Sequence, residues 1–195
     1  MSANKKTVII VMGVSACGKS TIAKGLQNEQ KDVFYIEGDD LHPQSNIDKM
    51  SQGTPLNDDD RYPWLCAIHN RISSTLEDEN CRVVIASCSS LKHKYREILT
   101  KGESEKAKVR PIFLHLKGDF DVLLKRISQR KGHFMKSQML ESQYAALEWP
   151  YKNDIVGDSD TDYDTLTVEL TESKSASDVI AEARRRLNQD RGVSI

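Results

Sequence analysis

The sequence predicts an α/β fold of three layers, αβα, around a five-stranded parallel sheet. Two observations carry this. Five short apolar runs recur along the chain, and a helix-like stretch follows nearly every one. Such alternation implies parallel strands joined by right-handed crossovers, with helices on both faces. A third observation agrees: the chemistry-bearing residues fall just after strand candidates, and open parallel sheets bind ligands at the carboxyl ends of their strands.

The strand candidates are Val8–Met12, Val33–Glu37, Val83–Ser87, Pro111–Leu116 and Leu166–Leu170. Each is a short, mainly apolar run of the kind a sheet buried on both faces needs. The helix candidates are Lys19–Asn28, Asp60–Glu77, Leu91–Lys101, Asp119–Arg130 and Ser175–Asp190. The last carries Val179, Ile180, Ala183 and Leu187 on one stripe, and its Arg184-Arg185-Arg186 run is expected to face water. Two excursions break the alternation, at residues 40–60 and 130–165; long connections of this kind are usually lids or linkers. The acidic stretch Asp154–Asp164 reads as a surface loop. The 195 residues suit one domain, with a substrate-binding segment near 40–65 and a lid near 130–150.

Gly13-Val14-Ser15-Ala16-Cys17-Gly18-Lys19-Ser20 links the first strand to the first helix, followed by Thr21. This is G-x-x-x-x-G-K-S in the strand–turn–helix context its mechanism needs. Backbone N–H groups of such a turn and the positive helix end converge on phosphate oxygens, Lys19 can reach the β/γ-phosphates, and Ser20 can ligate Mg²⁺. ATP and Mg²⁺ are the cofactors this implies. Cys17, at a helix N-terminus, is expected to have a lowered thiol pKa and to be open to oxidants.

Bulk properties narrow the setting. Lys and Arg total 28 against 29 Asp and Glu, a net charge of −1, which argues against a dedicated nucleic-acid binder. The chain has no apolar stretch long enough for a membrane span and no signal-peptide pattern at its N-terminus. Four cysteines without C-x-x-C spacing suit a reduced, cytoplasmic protein, and the five histidines lack metal-ligand spacing.

After the second strand, Glu37 and Asp39 alternate by two and project to one side. They can orient a Mg²⁺ shell or accept a proton from an attacking hydroxyl, or they belong to an Asp- and Gly-rich turn. The third strand ends in Ser87, where many phosphate-loop proteins carry an acidic metal partner, so Glu37 or Asp39 must supply that help. Asp60 can cap the next helix, with Pro63 in its first turn. Arg61 could fork onto a substrate carboxylate or pair with the aspartates of its own loop. Lys92 and Arg96, four apart, could bind phosphate or sugar oxygens, or only water. Between Val122 and Leu140 there is no acidic residue. This reads either as a solvated basic face or as a lid whose Arg126 and Arg130 close over ATP.

Taken together these blocks resemble the small gluconate kinases of the phosphate-loop (P-loop) kinase fold, whose core is shikimate-kinase-like. The resemblance rests on the phosphate loop, on Gly38-Asp39 with Leu41-His42-Pro43, and on Asn46-Ile47-x-Lys49-Met50. It continues through Gly53-x-Pro55-Leu56-Asn57-Asp58-x-Asp60-Arg61-x-Pro63-Trp64-Leu65 and Cys88-Ser89-x-Leu91-Lys92-x-x-Tyr95-Arg96. It ends with Arg130-Lys131-Gly132-His133-Phe134-Met135, Gln143 and Leu147-Glu148. The match spans roughly residues 8–150. Family members usually show Gly at Ala16 and Ala at Ser90.

The resemblance implies ATP-dependent phosphorylation of D-gluconate at its 6-hydroxyl, giving 6-phospho-D-gluconate for the pentose phosphate pathway. It implies Lys19, Asp39 and Arg130 as catalytic residues, with Asp39 the base or orienter. Gly13, Val14, Ser15, Ala16, Cys17, Gly18, Lys19, Ser20 and Thr21 would hold the nucleotide phosphates, and Arg126 would stack on adenine, bordered by residues 171–175. Arg61 would take the gluconate carboxylate, with Lys92, Arg96 and His133 further substrate candidates; Ser20 and Glu37 would serve the metal. The family's members are often dimers. Rival readings are a sister kinase for shikimate or a nucleotide, and a GTPase-type switch or ATP sensor. Asp154-Ile155-Val156-Gly157 spells D-x-x-G, but no N-K-x-D segment follows.

Overall fold

The computed structural model describes residues 6–101, 111–128, 134–150 and 163–195 of the protein, with the side chains of 134–138 left aside. Five strands and seven α-helices occur among them, in the order β1 (Thr7–Met12), α1 (Lys19–Gln27), β2 (Val33–Glu37), α2 (Gln44–Ser51), α3 (Asp58–Leu76), β3 (Val83–Ser87) and α4 (His93–Thr100). Then come β4 (Ile112–Gly118), α5 (Phe120–Ser128), α6 (Phe134–Ala145), β5 (Asp164–Leu170) and α7 (Ala176–Arg191). A 3₁₀ turn, Gly38–Leu41, joins β2 to the segment before α2.

All strand pairs are parallel and the order is β2-β3-β1-β4-β5. Right-handed crossovers then place α1 and α7, which touch, on one face, and α3 and α4, which also touch, on the other. Val8 to Met12 of central β1 are each at most 1% exposed. Ile9 lies beside Ile85 on one side and Ile112 on the other, so the apolar runs read from the sequence meet in register. The expected α/β, αβα fold with a five-stranded parallel sheet is what forms. No helix among the described residues is long and apolar enough to cross a membrane.

Local signals explain the helix ends, and several differ from expectation, among them the starts of α3 and of α4, which begins at His93 rather than Leu91. α3 starts at Asp58, not Asp60, because Asn57 is its N-cap: the Asn57 side chain accepts from the Asp60 amide while Asp60 returns the bond to the Asn57 amide. Pro63 therefore lies inside α3 rather than in its first turn. α7 starts with a matching box between Ser175 and Asp178, buries Val179, Ala183 and Leu187, and stops at Gly192 in the left-handed region. Its arginine run does not simply face water. Arg184 donates to the Gly25 carbonyl of α1 at 2.6 Å and Arg186 to the Thr167 carbonyl of β5, so two of the three fasten α7 to its neighbours. Of the two excursions, the first contains α2, which went unread as a helix, and the second contains α6. Asp154–Ile155–Val156–Gly157 and most of the acidic stretch lie outside the described residues.

Candidate active site

The phosphate loop leaves the carboxyl end of central β1 and runs into α1. Gly13 adopts φ 142°, and a Cβ there would sit 2.8 Å from Cys17 Sγ and 2.9 Å from the Leu116 carbonyl oxygen, so only glycine closes the turn. Ala16 holds a left-handed φ of 64° and Gly18 one of 92°. The first amides of α1 have no intrahelical acceptor, and the first turn carries no acidic side chain, so the helix end is shaped for an anion. Lys19 arches back over the loop, its Nζ 3.1 Å from the Gly13 carbonyl and 3.2 Å from that of Val14. Val14 and Cys17 are buried, Ser15, Ala16, Gly18, Lys19 and Ser20 are half-buried, and Thr21 is exposed.

Parallel register sets Glu37 of β2 opposite Ser87 of β3. The Ser87 hydroxyl donates to Glu37, and the Tyr35 hydroxyl does so at 2.5 Å. Burial alone would raise the Glu37 carboxyl, but these bonds, with a further one from Ser20, hold it below the usual carboxylate range. The same pairing and burial push Tyr35 up to about 12. Ser87, standing where an acidic residue was missed, thus presents the Glu37 carboxylate beside Ser20. Two oxygen donors of this kind fit a hard divalent cation. At the following turn, a Cβ on Gly38 would overlap the Ser87 carbonyl, so the chain there needs glycine to bring Asp39 in over the sheet.

Two adjoining lobes open above the strand ends. One, of about 260 Å³, is lined by the phosphate loop with Lys19, Ser20, Asp39, Ile127 and Met139. The other, of about 210 Å³, is lined by Asp39, Lys19, His42, Arg61, Trp64 and Gln143 among others. Lys19 and Asp39 border both. Arg61 projects from the first turn of α3, its guanidinium 5.9 Å from the centre of the Tyr95 ring. The loop aspartates pair elsewhere: Asp60 with Lys49 at 2.5 Å, and Asp58 with Lys92 at 2.9 Å, Lys94 at 2.6 Å and Tyr95. These donors, Lys94 first, keep the Asp58 carboxyl far below its ordinary value. Among the described residues no hydrogen bond or ion pair joins Arg61 to Asp58 or Asp60, although the charge of Arg61 helps hold the Asp60 carboxyl below its ordinary value.

Arg96 requires a correction. It is 1% exposed, and its guanidinium donates to the Tyr163 hydroxyl at 3.0 Å and to the carbonyls of Ser90, Leu91 and Glu148 at 3.0, 3.3 and 3.2 Å. It ties the β3–α4 loop to the chain after α6 and does not line either lobe. Lys92 is the N-cap of α4 rather than a face-mate of Arg96, and it too lies outside the lobe linings. Cys17 is 1% exposed, and burial raises its thiol pKa against the lowering pull of Lys19, the reverse of the expectation. Arg126, half-buried near the end of α5, is close enough to Cys17 for its charge to be felt there. Arg130 and His133 lie outside the described residues.

His42 and Trp64, marks of resemblance in the sequence, line the second lobe together with Gln143, whose segment was expected to pack back onto the body. The Gln143 side chain of α6 accepts from the Ser15 amide of the phosphate loop at 2.7 Å, joining the expected lid to the loop. Ser89, whose carbonyl accepts from the Gly13 amide at 3.3 Å, also lines it.

No protein-family model matches the chain. It is 38% identical over 187 residues to a protein of Schizosaccharomyces pombe described as a probable gluconokinase, covering 95% of this chain and 92% of that one. It is 43% identical over 143 residues to the thermoresistant gluconokinase of Escherichia coli, covering 73% of this chain and 77% of that one. A gluconokinase crystal structure from Sinorhizobium meliloti superposes with a TM-score of 0.70 at 36% identity, over 92% of this chain and 90% of that one. With a phosphate loop on a β2-β3-β1-β4-β5 sheet, a two-lobed cleft and these relatives along nearly its whole length, the chain belongs to the gluconokinase family of P-loop kinases.

Proposed function

We propose that the protein transfers the γ-phosphoryl group of ATP to the 6-hydroxyl of D-gluconate, yielding 6-phospho-D-gluconate and ADP. The observation that carries this reading is the meeting of the two lobes at Lys19 and Asp39. One lobe is built for phosphates, and the other offers a carboxylate, the Arg61 guanidinium and neutral polar groups, which suits a small polyhydroxy acid. Asp39, on the border, accepts the proton of the 6-hydroxyl as its oxygen bonds to the γ-phosphorus. The bond from that phosphorus to the β,γ-bridging oxygen breaks, and ADP leaves. Loop amides and Lys19 hold the phosphate oxygens and stabilise the charge spreading over the transferring group. Arg61 takes the carboxylate of the acid, and Lys92, paired with Asp58 behind it, remains a secondary candidate.

Ser20 and Glu37 would hold Mg²⁺, which when bound neutralises phosphate charge. Glu37 is kept ionised for that role by its hydrogen bonds. In this reading Arg126 stacks on the adenine, Arg130 acts on the transferring phosphoryl group and His133 is a further contact to the acid, as the resemblance implies. The four cysteines are free thiols, as suits the reducing cytoplasm.

ADP release from MgATP tests the proposal, with D-gluconate, shikimate, glucose and AMP offered separately. Gluconate alone should support turnover. Asp39→Asn should lower kcat by about 10²–10⁴-fold while ATP binding, followed by fluorescence titration, stays intact. Turnover on a different acceptor would move the substrate assignment; turnover unaffected by Asp39→Asn would remove the base.

A further inference from the structure

Taking gluconate as the acceptor in the second lobe, we propose that His42 is a substrate-binding residue whose Nε2–H donates to a hydroxyl oxygen of the polyol. Asn46 is then the positioning residue that fixes the tautomer. Asn46 is 2% exposed, and its Nδ2 lies 2.8 Å from the Asp60 carbonyl oxygen and 3.2 Å from His42 Nδ1. A carbonyl can only accept, so the carboxamide must turn its NH₂ to Asp60; the reverse flip would set oxygen against oxygen. The second amide proton then meets Nδ1, which has to accept. A neutral imidazole that accepts at Nδ1 carries its proton on Nε2.

The surroundings hold this arrangement at each link. Asp60 is the third residue of α3, with its carboxylate engaged by the Asn57 amide and by Lys49. The His42 ring stacks on Trp64 with centroids 4.1 Å apart and planes 11° from parallel. Trp64 is itself pinned by its Nε1–H to the Gly38 carbonyl at 2.7 Å. Burial lowers the His42 pKa, with Arg61 acting the same way and Asp39 opposing, which favours the neutral ring. Among the described residues Nε2 has no protein partner, and the ring lines the lobe beside Asp39 and Arg61.

That gives the lobe three different polar faces: an acceptor at Asp39, a cation at Arg61 and a neutral donor at His42. A donor covered by the bound acid but left unpaired, because the acid lacks the matching hydroxyl, is costly, so His42 selects hydroxylated acids over plain aliphatic ones.

Steady-state kinetics with both substrates test this on wild type, His42→Phe, His42→Gln and Asn46→Asp. Phenylalanine keeps a flat ring on Trp64 but has no donor, so the KM for gluconate should rise about tenfold while that for ATP stays within about twofold. Glutamine restores a donor near the Nε2 position and should recover most of the loss. Asn46→Asp offers an acceptor to Nδ1, so ¹⁵N spectra of the histidine ring should show a proton on Nδ1 that the wild-type ring lacks. An unchanged gluconate KM in His42→Phe, equal effects on both substrates, or a wild-type ring protonated on Nδ1 alone overturns the assignment. A wild type inert toward gluconate instead overturns the functional reading, and the choice of ligand for His42 with it.

Discussion

Cys17 sits inside the phosphate loop with 1% of its surface exposed, and that enclosure decides its chemistry. A helix N-terminus and a nearby lysine both favour a thiolate, yet removing the sulfur from water outweighs them and raises the thiol pKa. Cys88 follows the same rule and is pushed to about 11 by burial. Cys66, on α3, is only half-buried. Brief treatment of the native protein with iodoacetamide at pH 7 should therefore label Cys66 first, leaving Cys17 and Cys88 unmodified until the chain is unfolded. Peptide mass spectrometry over a time course reads the order, and early labelling of Cys17 would mean that the loop opens in solution. At this scale, legibility depended on distance along the chain. Lys19 and Ser20 were readable because their partners are within one contiguous loop. Arg96 was not, because the groups that bury its guanidinium include Tyr163 and the Glu148 carbonyl, more than fifty positions away.

The segment between β2 and β3 builds the acceptor lobe from two helices that are tied by one residue. Asp60 closes the N-terminal box of α3 and simultaneously pairs with Lys49 of α2, while its carbonyl receives Asn46. Replacing Asn57 by alanine leaves the Asp60 amide without its side-chain acceptor and frays the first turn that carries Arg61. Loss of such a cap costs about 1 kcal/mol, which urea denaturation should register, and gluconate KM should rise with it because Arg61 and the Asp60 carbonyl both shift. A variant as stable as wild type, with unaltered KM, would mean that α3 is held by its packing alone. The boundary of α3 was misread because Asp60 and Pro63 both carry start signals, whereas the reciprocal bond between Asn57 and Asp60 settles the matter. α2 escaped notice for a different reason. Its buried residue is Asn46, a polar one, so no apolar period marks an eight-residue helix that is held by hydrogen bonds instead. The strands were legible as elements because a parallel sheet covered on both faces is written in short apolar runs, but β4 runs on to Gly118 and β5 begins at Asp164, where polar residues extend the ladder that the apolar pattern alone does not mark.

Across the whole molecule, the sheet stores a pH dependence at its centre. His115 lies on β4 between Met12 of β1 and Thr167 of β5, with 1% of its surface exposed. Burial, reinforced by the positive charges of Arg96 and Lys117, lowers its pKa from the ordinary 6.5 to about 4. Above pH 6.5 the ring is neutral in both folded and unfolded chains, and the full stability is present. Between about 6.5 and 4 the unfolded chain binds a proton that the folded one refuses, so stability falls as the pH is lowered; below about 4 both forms are protonated and this contribution levels off. The carboxylates with lowered pKa values, Glu37 and Asp60 among them, lose their contributions as the pH falls below their ordinary values of 4.5 and 3.8, overlapping only the acid end of this window. His42 is shifted in the same direction as His115 and remains in every chain compared. Urea unfolding at several pH values from 4.5 to 7.5 should thus give wild type a steeper slope than His115→Gln, by up to about 1.4 kcal/mol per pH unit for the one proton involved. Parallel slopes for the two proteins would show that the ring is protonated as readily in the folded sheet as in the unfolded chain, and that water reaches the strand interior beside Arg96.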